Sequence, residues 1–256
     1  MTKSRKETAM DIKDSTVLGT GANRGIGKAF ADALLERGAR KVYAAVRDVA
    51  TAGDPRLVPI QLDVTDPDRV AAVARELDDV QLVVNNAGVL NVNIPLSASL
   101  DVARVELETN YLSLVSMTQA FAPVLERNGG GAFINLLSVY SWVSSPLIST
   151  YSASKAAAWS FTNAARVELK RQRTQVVGVH AGPVDTDMAA AFEFEKIPPA
   201  IVAASALDAL EAGEPEAVVD DYSRAVKAGL SDDQGTLYPQ IERQFLAMTG
   251  AGTTAN

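Results

Sequence analysis

Tyr151 and Lys155 lie four residues apart and are the pair in this chain best suited to proton transfer. In an α-helix, that spacing places both side chains on one face. A neighbouring ammonium group stabilises phenolate, so we expect it to lower the pKa of the tyrosine from about 10 toward neutrality. The pair therefore predicts a general acid and indicates an enzyme.

A glycine-rich turn near the N-terminus predicts a phosphate-binding loop. The apolar run 15–20 leads into Gly21, Gly25 and Gly27, and helix-forming residues follow from Lys28. In a strand-turn-helix unit, glycines let the backbone approach a pyrophosphate group, which meets the amide groups at the helix N-terminus. The spacing here is G-x-x-x-G-x-G, which differs from the commonest dinucleotide fingerprint.

Short β-branched segments alternate with longer helical patterns, which is typical of βαβ units around a parallel sheet. The predicted strands span residues 16–20, 42–46, 57–62, 82–85, 132–137, 176–180 and 217–219. The strongest predicted helices span residues 26–37, 67–77, 100–126, 151–171 and 198–212. The pattern predicts an α/β fold: one Rossmann-type, doubly wound parallel sheet of about seven strands with helices on both faces. We expect a single domain over residues 1–256, with flexible ends at about 1–10 and 250–256.

The composition excludes several classes of site and partner. The chain lacks cysteine and has one histidine, His180, so we expect neither disulfides nor a metal site. We expect His180 to be packed or bonded to the backbone, since Tyr151 already supplies a proton. The net charge of −7 disfavours binding to nucleic acid. Without an apolar run long enough for a membrane span or a signal-type core, we expect a cytoplasmic protein that does not bind membranes.

Five motifs, in matching order and spacing, resemble the short-chain dehydrogenase/reductase family between about residues 15 and 188. They are Thr20 with the glycine turn, Asn85-Asn86-Ala87-Gly88, Asn110, Ser138, and Tyr151 with Lys155. The resemblance implies reversible hydride transfer between a nicotinamide dinucleotide and a small-molecule carbonyl or alcohol substrate. It implies that Ser138 orients the substrate oxygen and that Tyr151 delivers the proton. Lys155 would support Tyr151 and bind the nicotinamide ribose, while Asn110 would hold a water that relays protons to the lysine.

The resemblance also places the cofactor at the ends of the strands. The implied cofactor-binding residues are Gly21, Asn23, Arg24, Gly25, Ile26, Gly27, Arg47, Asp63, Val64, Asn86, Ala87, Gly88, Tyr151, Lys155, Gly182, Val184 and Thr186. Val46 stands at the family's acidic position, and Arg24 and Arg47 could converge on a 2′-phosphate, so we expect NADP(H). Alternatively, Asp48 binds the free ribose of NAD. Asp63 could equally be a cap or turn residue.

Loops that follow the strands are expected to form the substrate pocket. We assign to this pocket Val92, Tyr140, Leu147, Met188 and Phe192. The set is apolar and partly aromatic, without clustered Arg or Lys, so we expect NADPH-dependent reduction of a hydrophobic ketone or aldehyde. After the sixth strand, Ala181 stands where the family usually has proline, which leaves the path of the nicotinamide loop open.

Other functions stay open at this point. Within the family these are oxidation of a hydroxysteroid or polyol and reduction of an acyl thioester; outside enzymes, the chain would be a non-catalytic NADP-binding regulator. The lack of a basic patch near the pocket argues against an acyl-carrier partner, and intact Tyr151, Lys155 and Ser138 argue against the regulator. Apolar faces at 100–126 and 151–171 predict a homo-oligomer, a tetramer or a dimer, although these faces could instead be buried against the sheet.

Overall fold

The computed structural model describes residues 9–96, 98–190, 193 and 195–249. Its centre is one seven-stranded sheet of order β3-β2-β1-β4-β5-β6-β7, in which all neighbouring strands are parallel. The strands are β1 Thr16–Thr20, β2 Lys41–Val46, β3 Val58–Gln61, β4 Leu82–Asn85, β5 Gly131–Leu136, β6 Thr174–His180 and β7 Glu216–Val218. This confirms the predicted doubly wound parallel sheet, whose strand order reverses between β1 and β4.

Eight α-helices surround this sheet in the described part of the chain. They are α1 Gly25–Glu36, α2 Pro67–Glu76, α3 Leu100–Leu107, α4 Ser113–Arg127, α5 Ser149–Leu169, α6 Pro199–Glu211, α7 Asp221–Gly229 and α8 Tyr238–Thr249. None of them has both the length and the apolar character that a membrane span requires. Residues 1–8 and 250–256, which include most of the predicted flexible ends, lie outside the described residues.

The central strands are buried on both faces because helices cover both sides of the sheet. Alternate residues of a strand point to opposite faces. Val17 and Ile134 thus pack with α1 and α6, while Leu18 and Phe133 pack with α2, α4 and α5. This two-sided burial explains why the strands appear in the sequence as short apolar runs.

The predicted single helix 100–126 is two helices joined by a wider π-helical turn, Glu108–Leu112. Helices α7 and α8 were not predicted from the sequence. These two helices lie against the turn after β5 through an apolar cluster that includes Val139, Val226 and Ile241. They depend on this distant contact, so their own sequences carry a weak signal.

Candidate active site

A cavity of about 1060 Å³ opens where the parallel strands end. Residues that follow each of the first six strands line it. Every residue predicted to bind the cofactor is among the lining residues. The cavity therefore lies at the carboxyl ends of the strands, where open α/β sheets bind their ligands.

The glycine turn forms the floor of one end of this cavity. Gly21 and Gly25 have φ angles of 64° and 52°, which side chains other than glycine rarely adopt. A Cβ atom at Gly27 would lie 2.1 Å from the Gly21 carbonyl oxygen, so this position cannot carry a side chain without moving the turn. The backbone thus leaves an open cradle at the start of α1, which fits the pyrophosphate of a dinucleotide.

Polar contacts between β1 and β4 hold this cradle in place. The Thr20 hydroxyl accepts hydrogen bonds from the backbone N–H groups of Asn86 and Ala87, at 2.9 and 3.0 Å. The Asn86 amide donates to the Thr20 carbonyl at 2.8 Å. The two strand ends at the reversal point are therefore locked together beneath the cavity.

Charged groups surround the end of β2. Arg47 lines the cavity and is exposed. Arg24, predicted to share a phosphate with Arg47, instead pairs with Asp187 at 2.8 Å. Both partners are largely exposed, so this ion pair is worth little and leaves Arg24 free to turn. Asp48, the alternative ribose ligand, accepts a hydrogen bond from Ala50 N–H at 3.0 Å as the cap of a short turn.

Asp63 lines the cavity after β3 and also caps a turn. Its Oδ1 atom accepts hydrogen bonds from the backbone N–H and the hydroxyl of Thr65, at 3.0 and 2.7 Å. These bonds hold the pKa of the Asp63 carboxyl below its ordinary value. The Oδ1 atom of Asp63 thus acts as a turn cap, which is the alternative role that the sequence offered. Binding of the cofactor by Asp63 stays a prediction.

Tyr151 and Lys155 lie on the buried face of α5, with 8% and 5% of their surfaces exposed. The Tyr151 phenol faces the Ser138 side chain at the end of β5, and this neighbour acts to lower the pKa of the phenol. The Lys155 ammonium donates to the Leu136 carbonyl at 2.8 Å and lies 5.8 Å from the centre of the tyrosine ring. The three side chains predicted to act on the substrate or beside it therefore meet at one wall of the cavity.

The expected lowering of the tyrosine pKa is wrong for this arrangement. Burial raises the pKa of Tyr151 to about 12, against the opposing effect of the Ser138 side chain, and nearby Glu106 adds to the increase. Burial also lowers the pKa of Lys155 to about 8. Desolvation disfavours both charged forms, and the lysine ammonium donates its hydrogen bond to a backbone carbonyl.

Asn110 lies at the centre of the π-helical turn and is buried. Its amide exchanges hydrogen bonds with the backbone N–H and carbonyl of Val89, both at 2.9 Å, and donates to the Ser154 hydroxyl at 2.9 Å. A separate cavity of about 10 Å³ lies between Asn110 and Lys155, which is close to the space that one water occupies. The water relay itself stays a prediction.

The turn that carries Ser138 is fixed from two sides. Ser138 Oγ accepts a hydrogen bond from Tyr140 N–H at 3.1 Å at the start of the short helical turn Val139–Ser141. Behind this turn lies His180, which is fully buried at the end of β6, with Nδ1 at 3.1 Å from the Ser138 carbonyl oxygen. His180 is thus packed and bonded to the backbone, as the sequence indicated.

Three of the five predicted substrate-pocket residues, Tyr140, Leu147 and Met188, line the cavity. Val92 does not; it is 53% exposed. The neighbouring Asn93 is bridged to the segment before α5, with its N–H bonded to the Leu147 carbonyl, and this pairing leaves Val92 on the outside. Phe192 lies outside the described residues.

Several lining residues of the cavity were not predicted from the sequence. Val105 and Thr109 come from α3 and the π-helical turn, and Gln244 and Met248 come from α8. Each pair is four residues apart and therefore shares a helix face. The first pair could have been found from its position just before Asn110. The second pair carries no local signal, since it reaches the cavity only through the packing of α8.

The loop after β6 follows a defined path despite Ala181. The Gly182 N–H donates to Asp220 Oδ2 at 2.8 Å, and Val184 is bridged to Ile197. The Asp220 carboxylate also caps α7 by accepting a hydrogen bond from Ser223 N–H at 2.8 Å. The Asp220 carboxylate at the start of α7 therefore holds the loop after β6, whose path the sequence did not predict.

Comparison with known proteins agrees with this geometry. A short chain dehydrogenase from Burkholderia cenocepacia, solved in complex with NADP, is 40% identical, covers 91% of this chain and 99% of its own, and has a TM-score of 0.87. The 3-oxoacyl-(acyl-carrier-protein) reductase FabG of Vibrio cholerae is 29% identical over 73% of this chain and 80% of its own length. Rat estradiol 17-beta-dehydrogenase 2 is 31% identical over 72% of this chain, and the matched segment covers about half of the rat protein.

A family model is more decisive than any single relative. The model described as short chain dehydrogenase matches residues 15–196, which is more than half of the chain and includes every motif quoted above. The matched segment also contains the first six strands of the sheet. On this match, the chain belongs to the short-chain dehydrogenase/reductase family of oxidoreductases.

Proposed function

We propose that this chain is a carbonyl reductase, which reduces a ketone or aldehyde to an alcohol with NADPH. The observation that carries the proposal is the Tyr151 phenol, beside the Ser138 side chain, on the wall of the cavity whose floor is the glycine turn. A proton donor and a dinucleotide cradle thus open into the same space. NADPH bound there would supply the hydride, and the protein would supply position and charge.

Tyr151 acts as the general acid in this proposal. Because burial raises its pKa to about 12, the phenol keeps its proton at neutral pH and can donate it as negative charge develops on the substrate oxygen. Ser138 orients the same oxygen. Lys155, whose pKa is lowered to about 8, can change its protonation state near neutrality and return a proton toward Tyr151. Asn110 holds the water molecule that passes protons to Lys155.

The proposed preference for NADPH rests on charge at the end of β2. Arg47 is an exposed cation on the cavity wall, where a 2′-phosphate would be bound, and Val46 offers no competing carboxylate. The Asp48 carboxylate is occupied as a turn cap. The NADP complex of the Burkholderia relative supports the same preference.

The proposed substrate is a hydrophobic ketone or aldehyde. The substrate side of the cavity has an apolar lining, formed by Tyr140, Leu147, Met188, Val105 and Ile148. Apolar walls with a few polar groups at the reacting atom are the usual design of small-molecule sites. The alternative substrates are an acyl thioester, after the name of the Vibrio relative, and a hydroxysteroid, after the name of the rat relative.

We also propose that the protein is a cytoplasmic homo-oligomer, a tetramer or a dimer. Leu107, Leu112 and Val167, on α3, the π-helical turn and α5, are 37%, 45% and 78% exposed. Exposed apolar side chains on neighbouring helices support pairing between copies of the chain. Sedimentation of the purified protein tests this, and a monomer at all concentrations would contradict it.

The experiment that tests the function is loss of NADPH absorbance with aryl ketones, cyclic ketones, aldehydes, β-keto esters, an acetoacetyl thioester and a ketosteroid. We expect turnover of the aryl ketones, cyclic ketones, aldehydes and β-keto esters, with NADPH preferred over NADH. Tight NADPH binding with no turnover on any carbonyl compound would overturn the proposal in favour of a non-catalytic regulator.

The cofactor preference has its own test in Arg47→Ala. Loss of one charge-assisted contact to the 2′-phosphate should raise the Kd for NADPH about tenfold and leave the Kd for NADH unchanged. Arg75→Ala, at an exposed arginine of α2 outside the cavity, is the matched control. Equal changes for the two dinucleotides would contradict the assignment of Arg47.

A further inference from the structure

His180 is the one histidine of the chain and plays no part in the mechanism above. It is fully buried at the end of β6, directly behind the turn that carries Ser138. The Trp142 ring stacks on the imidazole, with 3.8 Å between ring centres and an angle of 17° between planes. A buried polar ring costs free energy unless its nitrogens find partners, so the contacts of each nitrogen carry information.

The contacts of Nδ1 identify this nitrogen as a hydrogen-bond donor. Nδ1 lies 3.1 Å from the Ser138 carbonyl oxygen and 3.0 Å from Ser141 Oγ. The single hydroxyl proton of Ser141 is already directed to the Ser138 carbonyl, at 2.6 Å. Both atoms facing Nδ1 are therefore acceptors, and only an Nδ1–H group satisfies them.

The other ring nitrogen faces a carboxylate. Nε2 lies 3.6 Å from Glu216 Oε1 at the start of β7, and Lys227 of α7 forms an ion pair with the same carboxylate. At 3.6 Å this contact is too long for a hydrogen bond, so the Trp142 stack and the two Nδ1 contacts fix the plane of the imidazole ring.

We propose that His180 is a positioning residue for Ser138: its Nδ1–H group holds the Ser138 carbonyl so that the Ser138 hydroxyl stays directed at Tyr151. This rests on the proposed function, in which Ser138 orients the substrate oxygen. The ring touches neither the cavity nor the reacting atoms, since His180 is absent from the lining residues. It acts through the turn Val139–Ser141, which it joins to β6 and β7.

The first test needs no variant and no substrate. Because the chain has one histidine, tag-free protein labelled with ¹⁵N-histidine gives the ring nitrogens of His180 alone. Two-bond proton–nitrogen spectra at neutral and alkaline pH report which nitrogen carries hydrogen. We expect Nδ1 to be protonated at both pH values. A bare Nδ1 with protonated Nε2 would overturn the proposal.

The second test is a pair of isosteric variants. In His180→Asn the amide nitrogen takes the place of Nδ1 and keeps the donor, while in His180→Gln it takes the place of Nε2 and loses the donor to Ser138. With NADPH and the best carbonyl compound of the panel, we expect His180→Asn to retain most of the kcat. We expect His180→Gln to lose about tenfold to a hundredfold in kcat, as small misplacements in an active site do.

Two further readouts separate positioning from general damage. The Kd for NADPH, from cofactor fluorescence, should be unchanged in both variants. The kcat loss of His180→Gln should disappear when Ser138 is already alanine, since the residue acts through Ser138. An equal loss in both backgrounds, or equal kcat for the two variants, would overturn this inference alone. An unchanged kcat in Ser138→Ala would instead overturn the proposed role of Ser138, and the inference with it.

Discussion

Raising the pH should stabilise the folded protein through Lys155. Burial in the cavity wall lowers the pKa of this lysine from 10.5 to about 8. The folded state therefore releases the proton near pH 8, whereas the unfolded chain keeps it up to its own pKa. Wherever the unfolded state binds more protons, the free energy of unfolding rises with pH.

The size of the effect follows from the two pKa values. One pKa unit corresponds to about 1.4 kcal/mol, so the free energy of unfolding should rise by about 2 kcal/mol between about pH 8 and about pH 9.5. Below that window the full cost of burying the charged lysine is present. Tyr151 acts in the opposite direction, since its raised pKa of about 12 costs stability as the pH rises above about 10.

Urea denaturation across this window, for the native sequence and for Lys155→Met, isolates the contribution. Methionine keeps much of the apolar stem and lacks the titrating group, so other titrations cancel in the difference. We expect the slope with pH to be steeper in the native sequence, and we expect Lys155→Met to be more stable near pH 7. Parallel pH dependences for the two proteins would refute the reasoning from burial.

Two other variants test the site. Gly27→Ala should abolish NADPH binding measured by cofactor fluorescence, because its Cβ would collide with the Gly21 carbonyl; Gly53→Ala, where no described atom lies within 4 Å of the Cβ, should bind normally. Asn110→Ala should lower the free energy of unfolding in urea by about 1–3 kcal/mol, because it leaves the partly buried N–H and carbonyl groups of Val89 without their partner. Normal binding in the first, or unchanged stability in the second, would contradict these assignments.

The sheet and the cofactor end of the cavity could be predicted because their causes are local in sequence. A strand buried on both faces must be a short apolar run, and a turn with positive φ must carry glycine. Gly21, Gly25 and Gly27 therefore indicate their own geometry. The position of Tyr151 and Lys155 on one helix face follows in the same way from helical spacing.

What could not be predicted depends on contacts between distant segments. The pKa of Tyr151 is set by how deeply α5 is buried and by where the Lys155 ammonium is directed, neither of which is local. Val92 was assigned to the pocket because of its place after β4, but a bridge to the segment before α5 turns it outward. Gln244 reaches the cavity only because α8 packs on the turn after β5.

The most direct test of the central claim is the Tyr151→Phe variant, with NADPH binding and carbonyl reduction measured on the same preparation. Phenylalanine keeps the ring and removes only the hydroxyl that faces Ser138. We expect an unchanged Kd for NADPH and a loss of turnover of at least about a hundredfold, as removal of a general acid causes. Turnover close to that of the native sequence would contradict the claim that this phenol is the proton donor.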